Sequence, residues 1–288
     1  MKCNAGFEVT QGFDNQFRVW GEGAPQGVFL AANGFPVGSY DFLLSSLAQG
    51  LPLAGLESRG AWPAAGSPRK GFTWEHHAED LIDFLQSGSL ASPAIGIGHS
   101  IGATVTTMAA TKRPDLFRGL VLIDPATIPG RWLPWIVKAM PGLSARMALV
   151  QSTKRRRVHW PSPQAFHDYY AAKSVYRSFS DEAMRDYTAA GLRETSDGYE
   201  LAYSREWEAW NFQHTAEFWP RVRELPMPAL ILRGEKSYLH PDAEFKRQCR
   251  RLPPHIEALS VAGAGHMLPQ EAGAEILRLI KTWLEQLA

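Results

Sequence analysis

The chain has 288 residues, enough for one large domain or for one domain carrying an insertion. At 45% hydrophobic residues it can bury a sizeable core, so a globular protein is expected. Lys and Arg number 30 against 29 Asp and Glu, and this formal charge of +1 argues against a generic nucleic-acid surface.

In chain order, Phe7–Thr10 and Phe17–Trp20 alternate around a turn-like Gly12 to Asn15 and read as an opening hairpin. Gly27–Ala32 is a short apolar run that ends at N-G-F-P, and Leu51–Leu56 is a second that ends at E-S-R-G. Both suit buried strands entering sharp loops. Apolar residues at Ala78, Leu81, Ile82 and Leu85 predict a helix over Trp74–Gln86. Ala94–Gly98 reads as a strand, Ile101 to Lys112 as a helix and Gly119–Ile123 as another buried strand that stops at Asp124-Pro125. Late in the chain Ala229–Leu232 and Ile256–Leu259 repeat the pattern, and Glu271–Leu287 predicts an amphipathic closing helix. Strands alternating with helices call for an α/β fold, a mostly parallel sheet flanked by helices on both faces.

Residues from about 126 to 222 interrupt this rhythm. They hold six of the ten tryptophans and six of the eight tyrosines without a strong buried-strand run. This stretch is expected to be a helical cap over the C-terminal edge of the sheet, with residues 1–125 and 223–288 forming the core.

The segment Ala94–Ala103 carries G-x-S-x-G as Gly98, His99, Ser100, Ile101 and Gly102. A serine on a strained strand-to-helix turn presents its Oγ clear of the backbone, and small neighbours let strand and helix approach closely. The helix also aims N-terminal amides where an oxyanion would form. A serine hydroxyl needs a base. His266 is the best of the nine histidines, in A-G-A-G-H-M-L-P between the last strand and the closing helix. That order, nucleophile first and histidine last, is the one expected for this turn.

N-G-F-P, E-S-R-G, G-H-S-I-G and G-A-G-H, occurring in this order, resemble the α/β-hydrolase superfamily over nearly the whole chain apart from the insertion. The resemblance implies an oxyanion hole made by the backbone amides of Phe35 and Ile101. The family usually has His-Gly in the first loop, where this chain has Asn33-Gly34. Because the donor is backbone, that change bears on how the loop is anchored. Many members also place an acid after the strand at Ala229–Leu232, where this chain reads R-G-E-K-S-Y-L-H-P, with Ser237 and Tyr238 at the usual acid positions. Glu235 lies too early, and Asp242 begins a helix, where an N-terminal acid is ordinary. Asp124, ending the strand beside the elbow, is the preferred acid to orient His266, with Glu235 and Asp242 as alternatives. A subset of capped α/β-hydrolases, including some fungal acyl-CoA hydrolases, resembles this arrangement. The patterns W-P-S-P-Q-A-F, D-Y-T-A-A-G-L and E-W-E-A-W in the cap are similar to that subset.

Lys154-Arg155-Arg156-Arg157 reads as a solvated face, with a docking patch for an anionic head group as the functional alternative. His76, His77, Asp80 and Asp83 lack metal-site spacing and read as part of an amphipathic helix, so no metal is expected. The cap aromatics Trp132, Trp135, Tyr169, Tyr170, Trp207 and Trp210 suggest an apolar cleft between cap and sheet. No run approaches the roughly 20 apolar residues of a membrane span, and Met1–Thr10 lacks a signal-peptide core. Cys3 and Cys249 form no C-x-x-C motif, and a cytoplasmic location is expected.

The expectation is a cofactor-independent serine hydrolase of a carboxylic ester or thioester. Its partner is a small-molecule acyl substrate with an apolar portion, with no nucleic acid and no membrane span; a homodimer is left open. Three alternatives stay open. The same triad could cleave a carbon–carbon bond, transfer an acyl group to an alcohol or peroxide, or persist in a non-catalytic binding scaffold.

Overall fold

The computed structural model describes residues 16–62, 66–127 and 147–287. From the start, β1 (Phe17–Trp20) and β2 (Gly27–Leu30) lead to α1 (Asp41–Leu47), β3 (Leu53–Leu56) and α2 (Trp74–Gln86). Next come β4 (Ala94–His99), α3 (Ile101–Lys112) and β5 (Phe117–Ile123). The following stretch holds α4 (Ala148–Lys154), β6 (His159–Trp160), α5 (Pro163–Ala171) and α6 (Asp181–Ala190). It continues through β7 (Leu192–Thr195), β8 (Gly198–Leu201), α7 (Arg205–Gln213) and α8 (Trp219–Val222). The chain closes with β9 (Ala229–Gly234), α9 (Asp242–Cys249), β10 (Ile256–Val261), α10 (Leu268–Glu271) and α11 (Gly273–Leu287).

Seven strands form one sheet in the order β1-β3-β2-β4-β5-β9-β10, parallel throughout except for β1, which pairs antiparallel with β3. Every residue of β2, β4 and β9 is buried, which is why these strands read as unbroken apolar runs and not as alternation. One face of the sheet packs on α2 and α3 through residues such as Leu81, Phe84, Val105 and Met108. The other packs on α1 and α11 through Leu44, Leu47, Ile280 and Trp283. The helix expected over Trp74–Gln86 is α2; its four spaced apolar residues are buried, and Thr73 with His76 closes its N-terminus as a capping box.

Two readings need adjusting. Phe17–Trp20 is a strand, but its pairing is to β3; the Phe7–Thr10 half of the expected hairpin lies outside the described residues. The stretch expected to be helical also carries a small antiparallel sheet, ordered β6-β8-β7. Its strands are two to four residues long and mostly open to solvent, so no apolar run marks them. The β7–β8 hairpin turns through Ser196-Asp197, with Gly198 at φ 128° opening β8 opposite Thr195.

This small sheet and α5–α6 surround an aromatic core of Trp160, Phe166, Tyr170, Phe179 and Tyr187, which continues onto Phe35 and Met267 of the main domain. These aromatic residues therefore pack on two loops at the C-terminal ends of the parallel strands. Of the other cap aromatics, Trp207 is buried, Trp210 half-buried and Tyr169 exposed, while Trp132 and Trp135 lie outside the described residues.

Glu57 directly follows β3, and its Oε2 accepts the Val37 amide at 3.0 Å. Burial pushes its carboxyl up to about 7, against the pull of that amide and of Arg18. A folded pKa above the unfolded one contributes stability that is full below the unfolded value and is lost as pH rises through the folded value. Urea midpoints should therefore fall between about pH 5 and pH 8, equivalent to roughly 2–3 kcal/mol, and Glu57→Gln should flatten that fall. A variant whose midpoint drops as steeply as the parent's would refute this account.

Candidate active site

Strand β4 runs straight into α3 with Ser100 at the junction, at φ 56° and ψ −120°. The turn works only without side chains on either flank. A Cβ on Gly98 would sit 2.4 Å from the Gly102 carbonyl carbon, and one on Gly102 would sit 2.2 Å from the Leu30 carbonyl oxygen. The Ser100 amide donates to the Ile123 carbonyl and its own carbonyl accepts from Ala126, so the bend is pinned to β5 and the loop after it.

His266 Nε2 lies 3.0 Å from Ser100 Oγ, and its Nδ1 lies 2.7 Å from Asp124 Oδ2. Asp124 has no exposed surface and adopts φ 39°. Among the described residues, Ser100 and Asp124 alone have positive φ without being glycine. Each such conformation costs about 1–3 kcal/mol and is held only by its surroundings. The Gly234 amide donates to Asp124 Oδ1 at 3.0 Å and the Ser237 hydroxyl donates to Oδ2 at 2.6 Å. Burial raises the carboxyl's pKa, yet His266, His240 and the Ser237 hydroxyl together hold it below the usual carboxylate range. The serine found at a usual acid position is thus a hydrogen-bond donor to a carboxylate supplied by the neighbouring strand.

The alternative acids sit elsewhere. Glu235 accepts the Gly263 amide at 2.9 Å on an exposed loop. Asp242, at the N-terminus of α9, pairs with Lys246 and with the buried Arg233. Arg233 also bonds the His240 carbonyl, so this pair braces the loop that carries Ser237. Tyr238 is exposed and packs its ring on His266 at 5.4 Å.

Ile101 opens α3, and its amide has no backbone acceptor among the described residues. The Phe35 amide donates to the Ala32 carbonyl at 3.1 Å within its own turn. Asn33, at the position where the resemblance leads one to expect histidine, is held by α7 and the turn before it. Its Nδ2 donates to the Glu208 carbonyl, and its Oδ1 accepts from Asn211 and the Tyr203 hydroxyl. The loop's anchor therefore comes from α7 and Tyr203, a long-range contact that leaves no local trace in the sequence.

The basic run divides. Arg156 turns inward to a largely buried pair with Glu208 and bonds the hydroxyls of Tyr170 and Tyr187, whereas Lys154, Arg155 and Arg157 remain exposed. The histidine–aspartate cluster on α2 is structural in its contacts. His76 caps the helix, His77 bonds Asn211, and Asp80 forms a paired bond with Arg59. A cavity of about 30 Å³ lies beside Ile101 and Gly102 and is lined by Ser58, His77, Tyr203 and Asn211.

The arrangement can remove a proton from Ser100, stabilise the resulting imidazolium and offer an amide at the start of α3 to a developing oxyanion. Comparison with known proteins shows the family of the chain. Residues 27–279 match the model of the alpha/beta hydrolase family. The 2-(acetamidomethylene)succinate hydrolase of Mesorhizobium japonicum is 26% identical over 224 residues, covering 76% of this chain and 73% of its own. An sn-1-specific diacylglycerol lipase of Mus musculus is 23% identical over 217 residues, 74% of this chain and 65% of its own. The solved structure of E-2-(acetamidomethylene)succinate hydrolase superposes with a TM-score of 0.77 at 22% identity, over 93% of this chain and 94% of that one. The chain belongs to the alpha/beta hydrolase family, and it is a hydrolase.

Proposed function

We propose that the chain hydrolyses a carboxylic ester or thioester through an acyl-enzyme on Ser100. The observation that carries this reading is the continuous line from Ser100 Oγ through both ring nitrogens of His266 to Asp124. Ser100 Oγ attacks the acyl carbonyl carbon while His266 Nε2 takes the hydroxyl proton. Asp124, kept ionised, holds the proton on Nδ1 and stabilises the imidazolium. The oxyanion accepts the Ile101 amide, and the Phe35 amide is shared from its turn bond to Ala32. As the tetrahedral intermediate collapses, the leaving alkoxide or thiolate receives the proton from Nε2. Water then attacks the acyl-enzyme with His266 again as base, releasing the acid and free Ser100.

The apolar portion of the substrate is expected beside the turn that supplies the second amide, where Phe35 and Tyr176 form the half-buried edge of the aromatic core. The relatives named for 2-(acetamidomethylene)succinate and for diacylglycerol supply the first compounds to screen.

The direct test is initial hydrolysis rates on p-nitrophenyl esters of increasing acyl length, with Ser100→Ala as control. Wild type should turn over and the variant should not; equal rates in both would end the reading. Asp124→Asn should lower kcat about 10⁴-fold, as removal of a triad carboxylate does, with the fold retained. Glu235→Gln and Asp242→Asn should stay near wild type; if Glu235→Gln were the inactive variant, the acid would have to be reassigned.

Ser237→Ala removes a hydrogen bond to a buried charge, an interaction of about 1.5–3 kcal/mol, and should lower both stability and kcat. Ser237→Asp placed in the Asp124→Asn chain returns a carboxylate near His266 Nδ1 and should recover part of the lost rate. No recovery, measured on a double variant that still melts cooperatively, would show that only the β5 position can serve.

A further inference from the structure

His99, the residue before the nucleophile, has no part in the chemistry above, yet it is fully buried between the two loops that complete the site. Its Nε2 lies 2.9 Å from the backbone carbonyl of His266, and its Nδ1 lies 2.7 Å from the Tyr40 hydroxyl. The Tyr40 oxygen in turn accepts the amide of Ala32 at 3.2 Å. Ala32 carries the carbonyl that receives the Phe35 amide. One chain of hydrogen bonds thus runs from the candidate oxyanion turn to the backbone of the candidate base.

The chemistry of the end groups orders every proton in this chain. A carbonyl oxygen can only accept, so His99 Nε2 carries the hydrogen. In a neutral ring Nδ1 is then an acceptor, and Tyr40 donates its hydroxyl proton to it. The Tyr40 oxygen is left to accept from Ala32 N–H. A doubly protonated ring would break this order, and it would place a positive charge against His266, whose ring centroid is 5.3 Å away and which must itself become cationic during catalysis. Burial and the neighbouring His266 push the His99 imidazole down to about 3, consistent with a permanently neutral ring.

We propose that His99 is a positioning residue: a neutral, Nε2-protonated strut that sets the backbone of His266 on one side and, through Tyr40 and Ala32, the Phe35 turn on the other. It stands on β4 opposite Ile123, so the strut grows from the same pair of strands that presents Ser100 and Asp124. The inference rests on the serine-hydrolase reading for its kinetic consequence, whereas the tautomer does not depend on any activity.

The experiment has two arms. Nitrogen NMR of imidazole-labelled protein should show His99 protonated at Nε2 alone and unchanged between about pH 5 and pH 8, where an ordinary histidine titrates. A signal from protonated Nδ1, or a titration in that range, would overturn the proposal even if no ester were ever cleaved. The second arm compares wild type with Tyr40→Phe, His99→Phe and His99→Gln. Each is first titrated with a fluorophosphonate, so that kcat is expressed per reactive Ser100. Tyr40→Phe and His99→Phe should lose about 100-fold in kcat per site with KM little changed, the scale on which a displacement of about 1 Å acts. His99→Gln, which keeps one donor and one acceptor, should recover much of the loss. A merely structural role predicts instead a lower melting temperature and a smaller titratable fraction, with kcat per site within about twofold of wild type. That result in Tyr40→Phe, the most conservative change, would overturn the kinetic claim. A wild type inert on every ester would sink the proposed function and leave the first arm to decide the strut.

Discussion

Two adjacent parallel strands end abreast, and the site depends on this. In the β4–β5 pairing His99 faces Ile123, and the next residue of each strand, Ser100 and Asp124, turns into positive φ. Both turns are strained, and both are held by backbone bonds to the next strand over: Ser100 N–H to the Ile123 carbonyl, Asp124 N–H to the Leu232 carbonyl at 2.6 Å. The sheet thus carries a hydroxyl and a carboxylate side by side on rigid supports, and the loop after β10 brings the imidazole between them. The strain is supported by an interior in which β4 and all but one residue of β5 are buried.

A carboxylate with no solvent contact needs full compensation, because an unpaired buried charge costs several kcal/mol. Asp124 has it from three directions: the Gly234 amide, the Ser237 hydroxyl and His266. Two of these come from the β9 loop, and Arg233 braces that loop through the His240 carbonyl and Asp242. The carboxylate thus follows β5 while its serine donor sits on the loop after the neighbouring strand. A carboxylate on β5 takes its hydrogen bond from a serine on the loop where a carboxylate would commonly sit.

Through Glu208 and Asn211, α7 grips Asn33, and the Arg156–Glu208 pair lies against the same turn, where Gly34 has no side chain to interpose. Breaking a buried pair of this kind leaves an uncompensated charge and typically costs about 3–5 kcal/mol. The position of the Asn33–Phe35 turn is therefore tied to the packing of α7 and of the Arg156–Glu208 pair.

How much of this was legible varied with the range of the interaction. The helices Trp74–Gln86 and Ile101–Lys112 could be read to the residue, because apolar periodicity and a glycine-flanked elbow are local signals. The buried strands were legible to within one or two residues for the same reason, since a strand covered on both faces must be apolar throughout. Ser100 and His266 stood out by motif and chain order. The exposed cap strands were not legible, because no face of β7 is buried enough to demand a pattern.

By itself the sequence determined the layered fold, the elbow and the order of the candidate residues, all consequences of steric and hydrophobic rules acting over a few neighbours. The company that Asp124 keeps, Ser237 as its donor, the grip of α7 on Asn33 and the Tyr40–His99–His266 chain were decided only in three dimensions. Each joins residues far apart along the chain, up to 178 positions for Asn33 and Asn211. Hydrogen bonds of that kind arise from how packed layers bring loop ends together, and no local pattern encodes them.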